Sequence, residues 1–506
     1  MRISAYLHLM YLGLLLGAVL TAPTAAWSIE FQKGAVHASL NGSAEVKTPV
    51  RFNLDTPKEV PSLIGTLKLE GSLGDRLSLH CEFQGGYDGA ARNPDNDRVV
   101  IGFDKVYPSV DRYIQFSEAY VTVALPSTDV RLGIQKFSWG TLDQFNPTDN
   151  LSPMDLRHVM DTSYSAERKI GVPAVRITHL FSPGAVNIEA VWIPFLVPYR
   201  LPDPEDRWYP QLLQTPGEVL VALPGIPVSL PPVSIFQTNE EADLPARTFA
   251  HSEYGFRISR TFGSLDVGIS YFNGYDRMPV TDASGSVISS LTFIPPSLDL
   301  SYDLHLSPVF HRIQVYGVDM ARSWRMFTFR AEGAYFNGRF LNIGLNALDT
   351  IVAKFQFPSL SEISFQGQKN KLIISFPYSP EISYQKDTLS VGAGMDYQLG
   401  NHIITVQTLG EYIPDYGVEP LVYEEFEIMV ILGLHARFWE DTLQIESGLV
   451  INPMERLVLS RTEATYAVTD AFSVGTNLLV LDGKDESPLG QFRKNDQIAV
   501  FFRYHF

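Results

Sequence analysis

Ile498, Val500, Phe502, Tyr504 and Phe506 take every second place at the end of the chain, and Gln497, Ala499, Phe501, Arg503 and His505 take the places between them. Successive side chains of an extended segment point to opposite faces, so this stretch predicts a strand with one wholly apolar, aromatic face. Such a strand needs partners on both edges and something other than water against its greasy side.

The same two-residue step recurs from about residue 60. Leu63, Gly65, Leu67 and Leu69 alternate with Ile64, Thr66, Lys68 and Glu70. Beyond Gly71 to Asp75, Leu77, Leu79, Cys81 and Phe83 alternate with Arg76, Ser78, His80, Glu82 and Gln84. A helical period would scatter these charges round an axis, whereas a period of two puts them all on one side. Further hairpins pair Tyr113 to Leu125 with Val130 to Trp139, Pro173 to Phe181 with Val186 to Pro194, and Ser252 to Arg260 with Leu265 to Asn273. Others pair Arg312 to Ala321 with Met326 to Asn337, Leu389 to Gln398 with Ile403 to Tyr412, Glu425 to Arg437 with Thr442 to Val450, and Arg456 to Val468 with Phe472 to Leu481. A first strand at Ala35 to Asn41 and the closing one bring the total to about eighteen, with about sixteen as the alternative. Two stretches resist a single phase: Tyr113 to Leu125 admits both, with Glu118 inward, and Asp319 falls on the apolar side of its strand.

The connections alternate as well. Short turns separate long ones at Gly42 to Pro61, Gly89 to Arg112, Gly140 to Val172, Phe195 to His251, Gly274 to His311, Gly338 to Thr388, Ile413 to Glu424 and Asp482 to Asn495. Ile451 to Glu455 is short where a long one is due. The expected fold is therefore all-β: a transmembrane antiparallel barrel with short periplasmic turns and long extracellular loops, closed because lipid cannot hydrogen-bond a strand edge. Phe195 to His251 and Phe340 to Phe376 are rich in apolar residues, the former also in proline, which predicts segments folded over or into the mouth and kept by proline from pairing as continuous strands.

Composition agrees. The chain is 45% hydrophobic and 19% charged with mean hydropathy +0.01, as expected where only every second strand residue meets lipid. The one long apolar run, Ala5 to Leu20, follows Arg2 and precedes Thr24-Ala25-Ala26, the layout of a secretory signal cleaved after Ala26. Residues 1–26 are then the signal peptide and 27–506 the barrel. The formal charge of −17 argues against nucleic acid as a partner and suits a cell-surface protein meeting lipopolysaccharide. Cys81 has no partner for an internal disulfide and, beside Leu79 and Phe83, is expected to face lipid. No metal-ligand spacing occurs, and no cofactor is implied.

The closing strand, with its final Phe and a Tyr two places earlier, resembles the assembly signal of bacterial outer-membrane barrels. That resemblance implies delivery by the barrel-assembly machinery. A second resemblance lies in Arg131-Leu-Gly-Ile-Gln135 followed by Trp139-Gly140, Asp143 and Asn146-Pro147-Thr148-Asp149. This R-x-G-x-Q strand and WG…D…NP-x-D loop is similar to the hallmark of a family of porin-like outer-membrane proteins of Gram-negative bacteria. It implies a barrel and transport in the cell outer membrane, with no solute attached. Read physically, Asn146-Pro147 and Asp149-Asn150 are turn chemistry, and Trp139 stands where interfacial aromatics anchor a strand end. Trp139, Asp143, Asn146 and Asp149 are the expected constriction loop, with a turn-forming scaffold as the competing role.

Inside a closed barrel the lining set reads as Lys68, Glu70, Glu82, Arg131, Gln135, Arg176, Glu189, Glu253, Arg257, Arg330, Glu332, Glu411, Glu427, Arg437, Glu446, Arg461 and Glu463. Carboxylates exceed bases, and a ring of this size leaves room for water. The expected function is passive passage of small solutes, with cations preferred and moderately hydrophobic solutes favoured by the greasy loops. A structural sleeve or docking barrel for a periplasmic partner, a cytochrome or an efflux component, is the alternative, and a homo-oligomer stays open. No nucleophile, zinc or phosphate-loop motif stands in a convincing context, so the reading is not an enzyme.

Overall fold

Alternation along each strand and short turns between them close the chain into a ring. The computed structural model describes residues 28–51, 61–88, 101–108, 111–143, 145–157, 168–182, 184–203, 206–210, 218–219, 233–283, 287–294, 297–344, 364–368, 371–377, 381–417, 421–485 and 487–506. The expected signal peptide and its cleavage after Ala26 lie outside these residues. The wall runs β1 (Val36–Arg51), β2 (Ser62–Leu73), β3 (Leu77–Tyr87), β4 (Arg112–Ala124), β5 (Thr128–Gln135), β6 (Val172–Phe181), β7 (Val186–Ile193), β8 (Glu253–Phe262) and β9 (Leu265–Tyr275). It continues β10 (Arg312–Trp324), β11 (Phe327–Asn342), β12 (Ser383–Leu399), β13 (His402–Tyr412), β14 (Phe426–Phe438), β15 (Leu443–Asn452), β16 (Leu457–Ala467), β17 (Phe472–Asp482) and β18 (Gln497–His505). Each strand pairs antiparallel with its neighbours, and β18 returns to β1, so the barrel has 18 strands. No helix among the described residues is long and apolar enough to cross a membrane.

Closure is made at the final residue. Phe506 exchanges backbone hydrogen bonds with Gly42 (2.8 and 2.9 Å), and its ring covers the position a Gly42 Cβ would occupy. A short strand, Ile29–Lys33, continues the same edge of β1 by pairing with Val36 to Leu40. The edge is thus covered on both sides of Phe506, as a strand in lipid requires. β1 is longer than expected, so much of the predicted loop from Gly42 onward is strand. The short link between β15 and β16 is a tight turn in which Asn452 accepts the Met454 and Glu455 amides (3.0 and 3.3 Å), with Arg456 in the left-handed region (φ 52).

The outer surface carries an apolar belt. Leu132 and Ile269 are 61% and 63% exposed, among many others such as Leu67, Ile258, Val318 and Val391, and each such side chain gains about 1.5–3 kcal/mol on leaving water. Cys81 shares this outward row with Leu79 and Phe83. Ser447 and Thr462 also fall on it and satisfy each other at 2.9 Å.

Both phase conflicts resolve in the structure. On β4 the register slips by one residue opposite Glu82 and Phe83, which face Glu118 and Phe116, leaving Ser117 as a bulge. A bulge exchanges the two faces, so Phe116 and Val121 both point outward while Glu118 turns in. On β10 the expectation was inverted. Asp319, expected on the lipid side, is buried in the bore against Arg257 at 2.6 Å, and Ile313, Val315 and Gly317 share its face while Tyr316, Val318 and Met320 are exposed. Both faces of β10 are apolar at one end, so hydrophobicity alone could not tell them apart.

The long loops also pair. Ser364–Gln368, Lys371–Pro377, Val287–Ile294, Ser297–Val309, Val233–Asn239 and Glu218–Val219 form one sheet, with Val280–Asp282 beside Ser297–Val309. The proline-rich stretch at 220–232, where proline is expected to prevent pairing as a continuous strand, lies outside the described residues. Pro377 ends its strand and Pro308 is the next-to-last residue of Ser297–Val309, so both stand at strand ends.

Candidate functional site

The connection after β5 turns into the bore and crosses to the opposite wall. Gln135, fully buried, donates to the Ala174 carbonyl (3.0 Å) on β6. The Phe137 amide is held by Ser152 Oγ (2.8 Å) and its carbonyl by Lys169 Nζ (2.9 Å). The tip lands on β11 to β13, six to eight strands round the ring. There Glu332 accepts the amides of Thr141 and Leu142 and the Thr148 hydroxyl (3.0 Å), while Gln407 Oε1 accepts the Asp143 amide (3.3 Å). Glu332 is therefore a loop anchor, its charge met by three donors.

Glycines on the inner wall make the seat. A Cβ on Gly255 of β8 would strike the Trp139 ring at 2.7 Å, and one on Gly392 of β12 would collide with Leu142. Trp139 is not an interfacial anchor. It is 4% exposed inside the barrel and donates from Nε1 to Glu189 (2.8 Å), which also pairs with Arg176. The Asn146-to-Asp149 turn is scaffold in its contacts: Asp149 Oδ1 accepts the Trp139 amide (3.4 Å), Asn146 Nδ2 donates to the Trp139 carbonyl (3.5 Å), and Asp149 forms a buried ion pair with Lys169. Burial pushes the Asp149 carboxyl above its ordinary range, with Lys169 opposing. Of the four expected constriction residues, Asp143 keeps the most exposed charge, half-open at the tip beside Arg330 (2.8 Å), which also holds Asp396 (2.5 Å).

The bore is filled on one side. Phe137, Trp139 and Leu151 from the loop pack with inward side chains of β6 to β11, among them Val172, Val191, Phe272, Val315 and Phe336. Arg277, 3% exposed, clamps this core by meeting Glu253 (2.8 Å), the Leu151 carbonyl (2.9 Å) and the Val197 carbonyl (3.4 Å). Arg257 is taken up by Asp319. Glu189, Glu253, Arg257 and Glu332 therefore face inward but belong to this packed half.

The other half keeps its ionisable side chains. Lys68 pairs with Glu70 (2.9 Å), which reaches His80 (3.5 Å), and Glu82 lies opposite Lys68. Arg131 stacks over Tyr120 at 4.4 Å. On the far wall Glu411 lies opposite Glu427, His435 meets Glu446 (3.2 Å), Glu446 lies opposite Glu463, and Arg461 meets Glu463 (3.2 Å). Arg437 lies near the short-turn rim and reaches His435 (3.0 Å). Arg503 and Glu45 join β18 to β1 at 2.6 Å.

A second segment roofs part of the mouth. After β7 the chain passes Gln115 of β4 through Arg200 (2.5 Å) and Val106 through the Leu201 amide (2.6 Å). It ends with Trp208 against Leu479, Leu481 and Phe492 at the outer ends of β17 and β18, where Asn495 Nδ2 donates to the Arg207 carbonyl (2.9 Å). The roof agrees with the expectation that Phe195 to His251 folds over the mouth, whereas sequence reasoning missed the apolar half-core, and Asp319 and Asp396 as wall charges. The available signal was the set of inward glycines.

No family model and no curated protein matches the sequence. Solved structures with similar folds include OmpF of Salmonella typhi in complex with daunomycin, at 10% identity and TM-score 0.42, covering 94% of this chain and 100% of that one. The outer membrane channel DcaP of Acinetobacter baumannii aligns at 10% identity and TM-score 0.39 over 95% and 100% of the two chains. OccAB3 of Acinetobacter baumannii does so at 9% and 0.45, over 93% and 99%.

Proposed function

We propose that this chain is an outer-membrane channel for passive passage of small solutes, exported with a signal cleaved after Ala26 and inserted with its short turns toward the periplasm. One observation carries the reading: an apolar belt surrounds a bore whose ionisable lining remains on one side of an inserted loop. The passage is eccentric. It runs between the loop tip at Asp143 and the wall of β12 to β18 and β1 to β4, because the β6-to-β11 side is packed.

Cation preference follows from the charges facing that passage. Asp143, Asp396, Glu411, Glu427, Glu446, Glu463, Glu45, Glu70 and Glu82 stand against Arg330, Arg437, Arg461, Arg503, Lys68 and Arg131. The apolar roof around Trp208 supports a preference for moderately hydrophobic solutes. The purified barrel in a planar bilayer is expected to conduct in discrete steps, with a reversal potential favouring potassium over chloride in a salt gradient. Anion preference would overturn the charge argument, and a silent barrel would overturn the channel. The half-core is the observation that favours the second reading, a sleeve for a periplasmic partner, which predicts conductance only with that partner present.

A further inference from the structure

The short-turn rim carries a charge cluster that the passage does not use. Arg260 near the end of β8, Arg322 near the end of β10 and Arg325 in the turn that follows are all exposed. Arg260 and Arg322 lie on the outward, lipid-side rows of their strands, with Phe256 and Ile258 below the first and Val318 and Met320 below the second. Arg260 is level with Val267 of β9 and Arg322 with Leu265, so they flank β9 from either side. Two strand spacings across and two residues along the strand, about 12 Å in all, separate them, a gap that two arginine side chains can close over β9. Arg260 stacks on Phe262 at 4.5 Å and Arg325 on Trp324 at 5.4 Å. Among the described residues none of the three meets a carboxylate.

An arginine on the lipid face costs little at the boundary of the hydrocarbon, where headgroups are within reach, and the guanidinium fork matches phosphate oxygens two at a time. The aromatic rings hold two of the forks at the depth where headgroups lie. We propose that Arg260, Arg322 and Arg325 form a site on the outer wall of β8 to β10 for the phosphate of an anionic phospholipid. Placing that lipid in the periplasmic leaflet rests on the orientation proposed above; the site itself does not.

The test is lipid retention. The barrel is purified in detergent with phosphatidylglycerol or phosphatidylcholine, delipidated stepwise, and the bound lipid counted by native mass spectrometry. Wild type is expected to keep phosphatidylglycerol in preference to phosphatidylcholine. R260Q/R322Q/R325Q is expected to lose about a hundredfold in affinity for it, at about fivefold per arginine, while R260K/R322K/R325K, keeping charge without the fork, loses less. Retention by the glutamine variant within about twofold of wild type overturns the site, as does equal retention of the two lipids. Displacement of the lipid by millimolar inorganic phosphate overturns the lipid assignment in favour of a free-phosphate site. Should the triple variant fail to fold, R322Q alone gives the same comparison at about fivefold. Retention is read without conductance, so a silent barrel that binds the lipid sinks only the channel, and a conducting one that does not sinks only this site.

Discussion

Single residues decide whether the loop stays in the bore. Gly392 and Gly255 are wall positions where any side chain would displace Leu142 or Trp139. Gly392→Val is expected to lift the tip off β12 and raise conductance and its noise in single-channel records. Trp139→Ala removes a buried ring from the half-core and takes the donor from Glu189 Oε1, which predicts a loss of about 3–5 kcal/mol from the docked loop, measurable as a lower thermal midpoint and faster proteolysis. Asp149 gives the pH dependence. Burial raises its carboxyl above the ordinary 3.8, so the docked loop binds that proton more tightly than an undocked one. Docking is therefore firmest at acid pH and weakens as pH rises from the ordinary carboxylate range through the raised value. A thermal midpoint that rises on acidification from neutral pH toward 4, with a smaller rise in Asp149→Asn, is the expected outcome.

Elements turn on register. The bulge at Ser117 lets β4 place Phe116 and Val121 on the same outer face, although an even and an odd position otherwise oppose each other. Deleting Ser117 would remove the extra residue and leave Phe116 and Glu118 as neighbours opposite Phe83 and Glu82, so both halves of β4 keep their faces without the bulge. The expected result is a barrel that still assembles, seen as retention of the heat-modifiable band on gels, whereas loss of that band would show that the bulge itself is needed. The apolar inner face of β10 shows the converse. Ile313 and Val315 look lipid-facing in sequence because period two separates faces without saying which is outside. The answer comes from what packs on them, Phe137 and Leu151 in one cluster.

At the scale of the molecule, an eccentric passage makes a spatial prediction. In a Cys81→Ala background, thiol reagents reaching Glu463→Cys on the open half are expected to reduce conductance, whereas Ser270→Cys, 6% exposed behind the loop, stays unreactive. Equal reaction at both positions would place the solute path through the centre and remove the half-core from the argument.

Strand existence and the closing edge at Phe506 were legible in the chain itself, because a pleated strand in lipid imposes a two-residue period that composition cannot hide. The side of the bore that fills, the scaffold role of Asn146 and Asp149, the burial of Asp319 and the strands within the long loops were decided by tertiary structure. Those depend on which distant surfaces meet across the barrel, and local periodicity carries no record of a contact such as Leu142 on Gly392, made between residues far apart in sequence and brought together only by closure of the ring.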